Sequence, residues 1–393
     1  MIKKNFFLLL FLITFQINYS QSLELSVYSE ISIITCGPGE ELYEAFGHSA
    51  FRIKDPVLNL DLIYNYGMFD FNAPNFYGNF VKGKLLYKLA RYPFHHFLKS
   101  YNKDKRWVKE QVLDLTQEQK KIFFSYLENN SLPQNANYYY DPYFDNCATR
   151  MVSVTKDVLG KKVTFDGKHL IKSLSYRELM NREMPWNTWG SFGINLALGS
   201  KLDAKADEIG VTYLPDYVIK SFQNAIIYKN NQPRKLVKKE LFILDFKEKK
   251  QKELFLNPLL IFTIITLFGL FITYKDYKNN KRTIWLDFTI FFVSGVLGAI
   301  ITFLWFFTNH STTPNNFNFL WAFAPNLFIA FFLLKKGQQK LIKNYLYLLL
   351  LFLILIPFIW LSKIQQLPIS ILPILVLLMV RYFYLLKLLT FKK

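Results

Sequence analysis

The sequence predicts an exported α+β domain followed by an all-α domain of five transmembrane helices. Three observations support this division. The first 20 residues have the layout of a secretory signal peptide, and residues 21–230 mix strand and helix patterns. After Pro258 the chain becomes strongly apolar, with Leu, Ile and Phe in long runs.

The N-terminal segment, MIKKNFFLLLFLITFQINYSQS, places two lysines before an apolar run and then small or polar residues. This order is typical of a secretory signal peptide and predicts cleavage near Ser20. An uncleaved anchor is the alternative, and it places the following domain on the same side of the membrane. In both cases residues 21 to about 255 are exported.

Within residues 21–230, some stretches alternate apolar and polar residues and others repeat them at helical spacing. The predicted strands are 30–36, 49–53, 60–67, 84–90 and 107–115. The predicted helices are 93–103, 117–129, 147–159, 188–199 and 215–226. Thr116 and Gln119 form a capping-box pattern, and Gly160 is a natural residue just beyond a helix end. Residues 231–257 are Lys-rich and polar, which predicts a basic linker.

Five apolar runs after Pro258 are long enough to cross a bilayer as helices. They lie at about 258–274, 284–308, 317–334, 345–361 and 367–389. With the exported domain outside, basic residues are more numerous in the inner loops than in the outer ones. The sequence therefore predicts a bacterial inner-membrane protein with a periplasmic N-terminal domain and a cytoplasmic C-terminus. Residues 309–319 then form a periplasmic loop.

The net charge of +19 has two interpretations. A nucleic-acid partner is one, but no basic face or nucleic-acid motif stands out. Lysines that flank membrane spans and meet anionic lipid are the favoured interpretation. Membrane lipids are therefore the predicted partners, and nucleic acid is not.

Two short stretches contain the residues of a thiol site. In EAFGHSAFRIKD (44–55), His48 opens a predicted strand, so its imidazole lies at a strand end. In DNCATR (145–150), Cys147 lies in the first turn of a predicted helix, where the helix dipole and unpaired N–H groups lower a thiol pKa. A histidine beside such a thiolate can hold it and move a proton. The pattern predicts a nucleophile–base pair.

Structural interpretations stand beside this one. Two exported cysteines are expected to pair by default, which predicts a Cys36–Cys147 disulfide. The alternative is that Cys36 is buried and free. His95 and His96 begin a predicted helix and are interpreted as structural. The sequence has no ligand-spaced Cys/His cluster and no Gly-rich phosphate loop, so no metal and no cofactor are predicted.

Four motifs in a fixed order give a specific resemblance. They are TCGPGEELYEAFGHSAFRIKD (35–55), IYNYGMFDF (63–71), YFDNCATR (143–150) and NFNFLW (316–321). In this combination the chain resembles the Lnb family of lipoprotein N-acyltransferases over nearly its whole length. The order of histidine before cysteine is also similar to that of circularly permuted papain-like (NlpC-type) enzymes, which include lecithin:retinol acyltransferase. The resemblance implies such a fold for the exported domain.

By this resemblance Cys147 is the nucleophile and His48 is the base. A third polar residue usually orients the imidazole. Asn65 and Tyr66, on the next predicted strand, are the candidates for it. Asp61 and Asp145 remain open as alternatives.

Seven further residues are assigned to support or lipid binding. Arg52 and Arg150 either bind a lipid phosphate or pair with an acid, such as Asp55 for Arg52. Asn146 and Thr149 belong to the same supporting set at the helix start. In the periplasmic loop, His310, Asn316 and Asn318 either orient a lipid headgroup or lipoprotein N-terminus, or simply cap two helices.

The implied reaction moves a fatty acyl chain from a phospholipid, through a thioester on Cys147, to the N-terminal amine of a lipoprotein. No cofactor is needed, because the donor ester already carries the activation. Two alternatives remain open. One is a papain-like cell-wall peptidase or amidase with water as acceptor, which would not need five spans. The other is a non-catalytic, disulfide-closed scaffold on a membrane anchor.

Overall fold

The computed structural model describes residues 23–167, 174–229, 232–248, 255–335 and 339–391. The predicted signal peptide, 1–20, lies outside the described residues. The described chain forms a mixed α/β N-terminal domain and a helical C-terminal region.

The described residues contain ten strands in two sheets. They are β1 (Glu30–Cys36), β2 (His48–Asp55), β3 (Leu60–Met68), β4 (Leu86–Pro93), β5 (Val108–Leu113), β6 (Asn137–Tyr139), β7 (Val163–Thr164), β8 (Ile226–Lys229), β9 (Gln232–Lys235) and β10 (Val237–Leu244). Seven form an antiparallel sheet in the order β10-β5-β1-β2-β3-β4-β6, and β7, β8 and β9 form the second sheet. The five predicted strands correspond to β1–β5.

The N-terminal domain contains seven α-helices among its described residues. They are α1 (Phe76–Val81), α2 (Phe94–Lys103), α3 (Gln117–Ser131), α4 (Cys147–Leu159), α5 (Tyr176–Glu183), α6 (Trp189–Ala197) and α7 (Pro215–Asn224). The predicted capping box is confirmed: Thr116 Oγ1 accepts the Gln119 N–H at 3.2 Å, and Gln119 Oε1 accepts the Thr116 N–H at 2.9 Å. The sequence patterns did not predict α1 and α5.

Helix α4 packs against the main sheet through its apolar face. Met151, Val152 and Val154 are buried, and they share one hydrophobic cluster with Phe51 of β2. Full burial of each such side chain stabilises the fold by roughly 1.5–3 kcal/mol. This packing fixes the first turn of α4 relative to the first residue of β2.

The predicted linker, 231–257, is wrong for part of its length. Residues 232–244 form β9 and β10, and β10 pairs with β5 as the edge strand of the main sheet. Lysines are common on edge strands, because they discourage pairing with another chain. The lysines of this stretch therefore belong to an exposed edge strand and do not mark a linker. The N-terminal domain extends to the end of β10 at Leu244.

The C-terminal region contains α8 (Pro258–Asn279), α9 (Ile284–Phe306), α10 (Asn326–Phe332), α11 (Gln339–Leu361) and α12 (Leu372–Phe391). Among the described residues, four helical segments are long and apolar enough to cross a membrane. The predicted third span, 317–334, is broken, and the predicted count of five spanning helices is not confirmed. Its helix α10 has seven residues, which is only about 10 Å of helix.

The predicted third span nevertheless runs antiparallel along α9. The ring of Phe319 lies 6.0 Å from that of Trp305, and Phe331 lies 5.4 Å from Phe288 near the other end of α9. Pro325 interrupts the segment, and the buried Asn326 donates to Ser294 Oγ at 2.9 Å. Non-helical backbone at membrane depth is tolerated where protein surrounds it, as here.

Buried charges join three of the long helices. Arg381 of α12 has no solvent exposure and contacts Asp287 at 2.6 Å and Asp276 at 2.8 Å. Arg282 lies 2.7 Å from Asp287, so two arginines face two aspartates. The group is electrically balanced and explains how ionisable residues are accommodated between apolar helices.

Backbone hydrogen bonds hold the two parts of the chain together. The Gly199 N–H donates to the Thr312 carbonyl at 2.8 Å, and the Ser200 N–H donates to the Asn315 carbonyl at 3.0 Å. The Gln366 N–H donates to Asp203 Oδ1 at 2.9 Å. The N-terminal domain is therefore held by hydrogen bonds against the loops between the membrane helices.

Candidate active site

Cys147 is the first residue of α4, as predicted, and Asn146 is the N-cap of this helix. Asn146 Oδ1 accepts the N–H groups of Ala148 and Thr149, both at 2.9 Å, and Thr149 Oγ1 accepts the Asn146 N–H at 2.8 Å. Asn146 Nδ2 also donates to the Tyr213 carbonyl at 2.8 Å. Asn146 and Thr149 therefore support the site by fixing where the thiol lies.

His48 lies between the thiol and a side-chain amide. Its Nε2 is 2.6 Å from Asn65 Oδ1, and its side chain is also hydrogen-bonded to Cys147. Asn65 Nδ2 donates to Tyr92 OH at 2.9 Å, which leaves Oδ1 as the acceptor for His48. Nε2 therefore carries a proton, and the other ring nitrogen, Nδ1, is the one available to the thiol.

The electrostatics of the pair favour a thiolate and an imidazolium. Burial raises the pKa of the Cys147 thiol, but His48 and hydrogen bonds from the Ser49 and Ala148 N–H groups outweigh burial and lower it. Burial lowers the pKa of His48, but Cys147 and Asn65 outweigh that effect and raise it. Each partner stabilises the charged form of the other.

Cys36 is buried and free, and it does not form the disulfide that two exported cysteines predict by default. It lies directly opposite His48 in the pairing of β1 with β2. Burial raises the pKa of its thiol, which is hydrogen-bonded to Tyr101. Cys36 lies on a strand and lacks the contacts that activate Cys147, so it remains a neutral thiol.

Only one of the four candidates for the third polar residue contacts His48, and it is Asn65. Tyr66 points to the opposite face of β3, where its hydroxyl donates to Asn130 Oδ1 at 2.5 Å. Adjacent strand residues face opposite sides of a sheet, so Asn65 and Tyr66 cannot both reach the imidazole. Asp61 and Asp145 are also ruled out, because each pairs with an arginine instead.

Both candidate arginines form internal ion pairs. Arg52 contacts Asp61 at 2.7 Å and Glu110 at 3.2 Å, and Arg150 contacts Asp145 at 2.5 Å. The guanidinium of Arg52 also lies 3.8 Å from the centre of the Phe94 ring. These contacts support the structural interpretation over lipid-phosphate binding. The suggested pairing of Arg52 with Asp55 is wrong, because Asp55 accepts hydrogen bonds from Ser26.

The periplasmic-loop asparagines lie at the domain junction and do not line the space around Cys147. Asn316 Nδ2 donates to the Leu196 carbonyl at 2.8 Å, and Asn318 Oδ1 accepts from Trp321 Nε1 at 2.9 Å. Both asparagines are buried, and their contacts are within the protein. The prediction that they orient substrate is therefore not supported.

The other three histidines discussed from the sequence, His95, His96 and His310, do not line the cavity around the thiol. His310 donates hydrogen bonds to the Phe80 and Val81 carbonyls of α1, and burial lowers its pKa overall. His95 and His96 are exposed on α2, in keeping with their structural interpretation. No group of three or more His, Cys, Asp or Glu side chains in the described chain is placed to hold a metal ion.

A cavity of about 360 Å³ opens in front of Cys147, His48 and Asn65. This volume lies within the roughly 300–1,000 Å³ of small-molecule sites. Its walls are mainly aromatic and apolar: Tyr43, Phe46, Met68, Phe69, Phe80, Leu85, Tyr87, Tyr101, Tyr140, Tyr143 and Tyr213. An apolar chain beside a thiolate is the ligand such walls suit.

The motifs did not reveal two features of this cavity. Gly67 has φ +86°, and a Cβ there would lie 3.6 Å from Cys147 Cβ and 3.2 Å from the Tyr140 ring. Glycine at position 67 therefore keeps the space beside the thiol open. The one sequence sign of this role was the glycine of the YNYG motif. Arg106 and Glu44 form an ion pair of 3.0 Å in the wall, and no sequence signal joins them.

Fold and site together define a membrane protein whose N-terminal domain presents a thiol–imidazole pair. A family model described as the Lnb N-terminal periplasmic domain matches residues 18–183, and one described as the Lnb transmembrane domain matches residues 249–393. The chain belongs to the Lnb family and is an inner-membrane protein with a periplasmic N-terminal domain. Comparisons with curated proteins and with solved structures give no match.

Proposed function

We propose that this protein is an acyltransferase that moves a fatty acyl chain from a phospholipid to the N-terminal amine of lipoproteins through a Cys147 thioester. The observation that carries the proposal is the Cys147–His48–Asn65 arrangement at an aromatic cavity. Family membership adds support, since the Lnb family indicates a membrane enzyme. In this proposal residues 21–244 are the periplasmic catalytic domain and the C-terminus is cytoplasmic.

The first half-reaction loads the enzyme. The Cys147 thiolate attacks the acyl ester carbon, and a carbon–sulfur bond forms as the carbon–oxygen bond to glycerol breaks. The His48 imidazolium gives its proton to the leaving glycerol oxygen, so a lysophospholipid departs. Backbone N–H groups at the start of α4 stabilise the negative charge on the carbonyl oxygen in the transition state.

The second half-reaction unloads it. The free α-amine of the lipoprotein's lipid-modified N-terminal cysteine attacks the thioester carbonyl, and neutral His48 takes the proton that the amine loses. The carbon–sulfur bond breaks, an amide forms, and the thiolate–imidazolium pair is restored. Asn65 accepts a hydrogen bond from His48 Nε2 in both halves and keeps the ring in place.

The two alternative functions have less support. The scaffold requires a disulfide, whereas both cysteines are free. A cell-wall peptidase uses the same pair, but peptides of the cell wall are polar and soluble substrates. Neither the aromatic cavity nor the hydrogen bonds between the N-terminal domain and the membrane region favour such a substrate.

Mass spectrometry of the full-length protein tests the proposal. After incubation with phospholipid vesicles, we expect an acyl-sized adduct on Cys147 that hydroxylamine removes. His48→Ala should abolish the adduct, and a diacylated lipopeptide with a free amine should discharge it from the native protein. The absence of any adduct on a folded protein whose Cys147 still reacts with iodoacetamide would overturn the proposal.

A further inference from the structure

We propose that an aromatic lip, formed by Phe71, Phe76, Tyr77 and Phe80, inserts into the outer leaflet and guides a phospholipid acyl chain to Cys147. The lip comprises α1 and the turn before it. Phe71, Tyr77 and Phe80 are 52%, 70% and 49% exposed, although large aromatic side chains are usually buried. The inference deepens the proposed function and rests on it.

A continuous series of rings joins the lip to the site. Phe76 stacks 5.8 Å from Phe69, Phe69 lies 4.9 Å from Tyr87, and Tyr87 lies 4.7 Å from Tyr140. Tyr140 lies beside Gly67, next to Cys147. Phe80, Phe69, Tyr87 and Tyr140 line the same cavity as the thiol. The apolar surface therefore extends without a break from the exposed lip to the reacting atom.

The end of a membrane helix sets the position of the lip relative to the bilayer surface. Helix α9 ends at Phe306, and three residues later the Asn309 N–H donates to the Lys82 carbonyl at 2.8 Å. His310 donates to carbonyls of Phe80 and Val81. Because α9 crosses the bilayer, the C-terminal end of α1 is held by residues that lie only three and four positions beyond the end of that helix.

The charge around the lip suits a phospholipid surface. Between residues 69 and 88, Lys82, Lys84 and Lys88 are exposed and Asp70 is the single acidic residue. Aromatic rings beside lysines are typical of segments at the membrane–water interface, where rings sit among headgroups and lysines meet phosphates. The lip therefore has aromatic rings that suit the apolar part of an outer-leaflet phospholipid and lysines that suit its phosphate.

Tyr77 and Tyr28 form a matched pair for the test, because each is a tyrosine with 70% exposure. Tyr28 precedes β1, whose other end, Cys36, faces His48. A strand of this length places Tyr28 roughly 20 Å from the site. Any general effect of changing an exposed tyrosine should appear equally at both positions.

The first arm measures membrane contact without enzyme activity. Tyr77→Cys and Tyr28→Cys are made in a Cys147→Ala background, labelled with an environment-sensitive fluorophore and reconstituted into phosphatidylethanolamine–phosphatidylglycerol vesicles with spin-labelled acyl chains. We expect the label at position 77 to be blue-shifted and quenched by the lipid, and the label at 28 to be unaffected. Equal quenching by aqueous iodide at both positions would show that position 77 stays in water, and it would overturn the proposal that the lip inserts into the membrane.

The second arm measures acyl transfer. With Cys147 intact, Tyr77→Gln should slow thioester formation from vesicle phospholipid by roughly tenfold, as expected when one aromatic ring can no longer insert into the lipid. Tyr28→Gln should leave the rate unchanged. Equal rates in the two variants would refute a guiding role for the lip. If the native protein forms no thioester, the proposed function fails, while the fluorescence arm still decides whether the lip meets lipid.

Discussion

Replacing Asn65 by Ala tests whether a single amide maintains the reactive form of the thiol. Asn65 Oδ1 accepts a 2.6 Å hydrogen bond from His48 Nε2. A hydrogen bond to a charged group contributes about 1.5–3 kcal/mol. If that energy stabilises the imidazolium, its loss should slow thioester formation by roughly ten- to a hundredfold.

The pH dependence of thiol reactivity gives a sharper signature. The thiolate–imidazolium pair exists above the pKa of Cys147, which is lowered, and below the pKa of His48, which is raised. Removing Asn65 removes one interaction that raises the His48 pKa, so the alkaline limit moves to lower pH. At the acid limit His48 is protonated in both proteins and lowers the Cys147 pKa equally, so this limit should stay in place. The reactive window therefore narrows from the alkaline side.

Iodoacetamide alkylation of Cys147, followed by mass spectrometry across a pH series, measures this window. Asn65→Asp is the first control, because a carboxylate keeps an acceptor for His48. Tyr92→Phe is the second, because it removes the other hydrogen bond of Asn65 and leaves the His48 contact in place. An Asn65→Ala protein with native rates and an unchanged pH profile would refute the reasoning.

Three further substitutions probe the neighbouring structure. Cys36→Ala should leave the Cys147 adduct in the mass spectrum, because burial keeps the Cys36 thiol neutral; loss of the adduct would give Cys36 a direct role. Asn146→Ala should lower the free energy of unfolding by about 0.5–2 kcal/mol and should also slow thioester formation. Ser175→Ala, at the N-cap of α5, should lower the free energy of unfolding by a similar amount and leave the rate of thioester formation unchanged. Arg381→Met leaves the buried Asp276 without its arginine, although Asp287 keeps Arg282, and it should destabilise the membrane helices by about 3–5 kcal/mol in detergent unfolding, with a smaller loss for Arg381→Lys.

The positions of Cys147 and His48 could be predicted because their signals are local. Asn146 caps a helix directly before the cysteine, and Gly47 precedes the strand that His48 opens. Each feature depends on a few neighbouring residues, so the pattern of side chains was sufficient. The choice between Asn65 and Tyr66 was different, because it depends on how β3 aligns with β2.

Strand register decides that choice. Phe51 pairs with Tyr64, and continuing the same register places Gly67 opposite His48. Asn65 is two residues from Gly67 and so lies on the same face as His48, while Tyr66 lies on the other. A shift of one residue would reverse the assignment, and alternation within one strand does not reveal its register.

Partners distant in the sequence explain the predictions that were wrong or left open. Arg52 is neutralised partly by Glu110, 58 residues away, and nothing local to Arg52 indicates that pairing. The predicted span 317–334 had the right hydrophobicity, but hydrophobicity reports burial in lipid or protein without distinguishing a continuous helix from a broken one. Pro325 was the local sign of a break, and the burial of Asn326 against Ser294 permits it.

The membrane region acts as more than an anchor in this structure. An anchor needs only a flexible connection to the domain that it holds. Here Asn309 and His310 bond α1 at the cavity mouth, and Asn316 and Gln365 bond the backbone of α6 and the residue after it. Since Phe80 lines the cavity, the contacts to α1 also hold one wall of that cavity against a loop of the membrane region. A fixed opening at the membrane surface matters for a substrate held in lipid and is unnecessary for one that diffuses through water, so the junction itself favours an amphiphilic substrate.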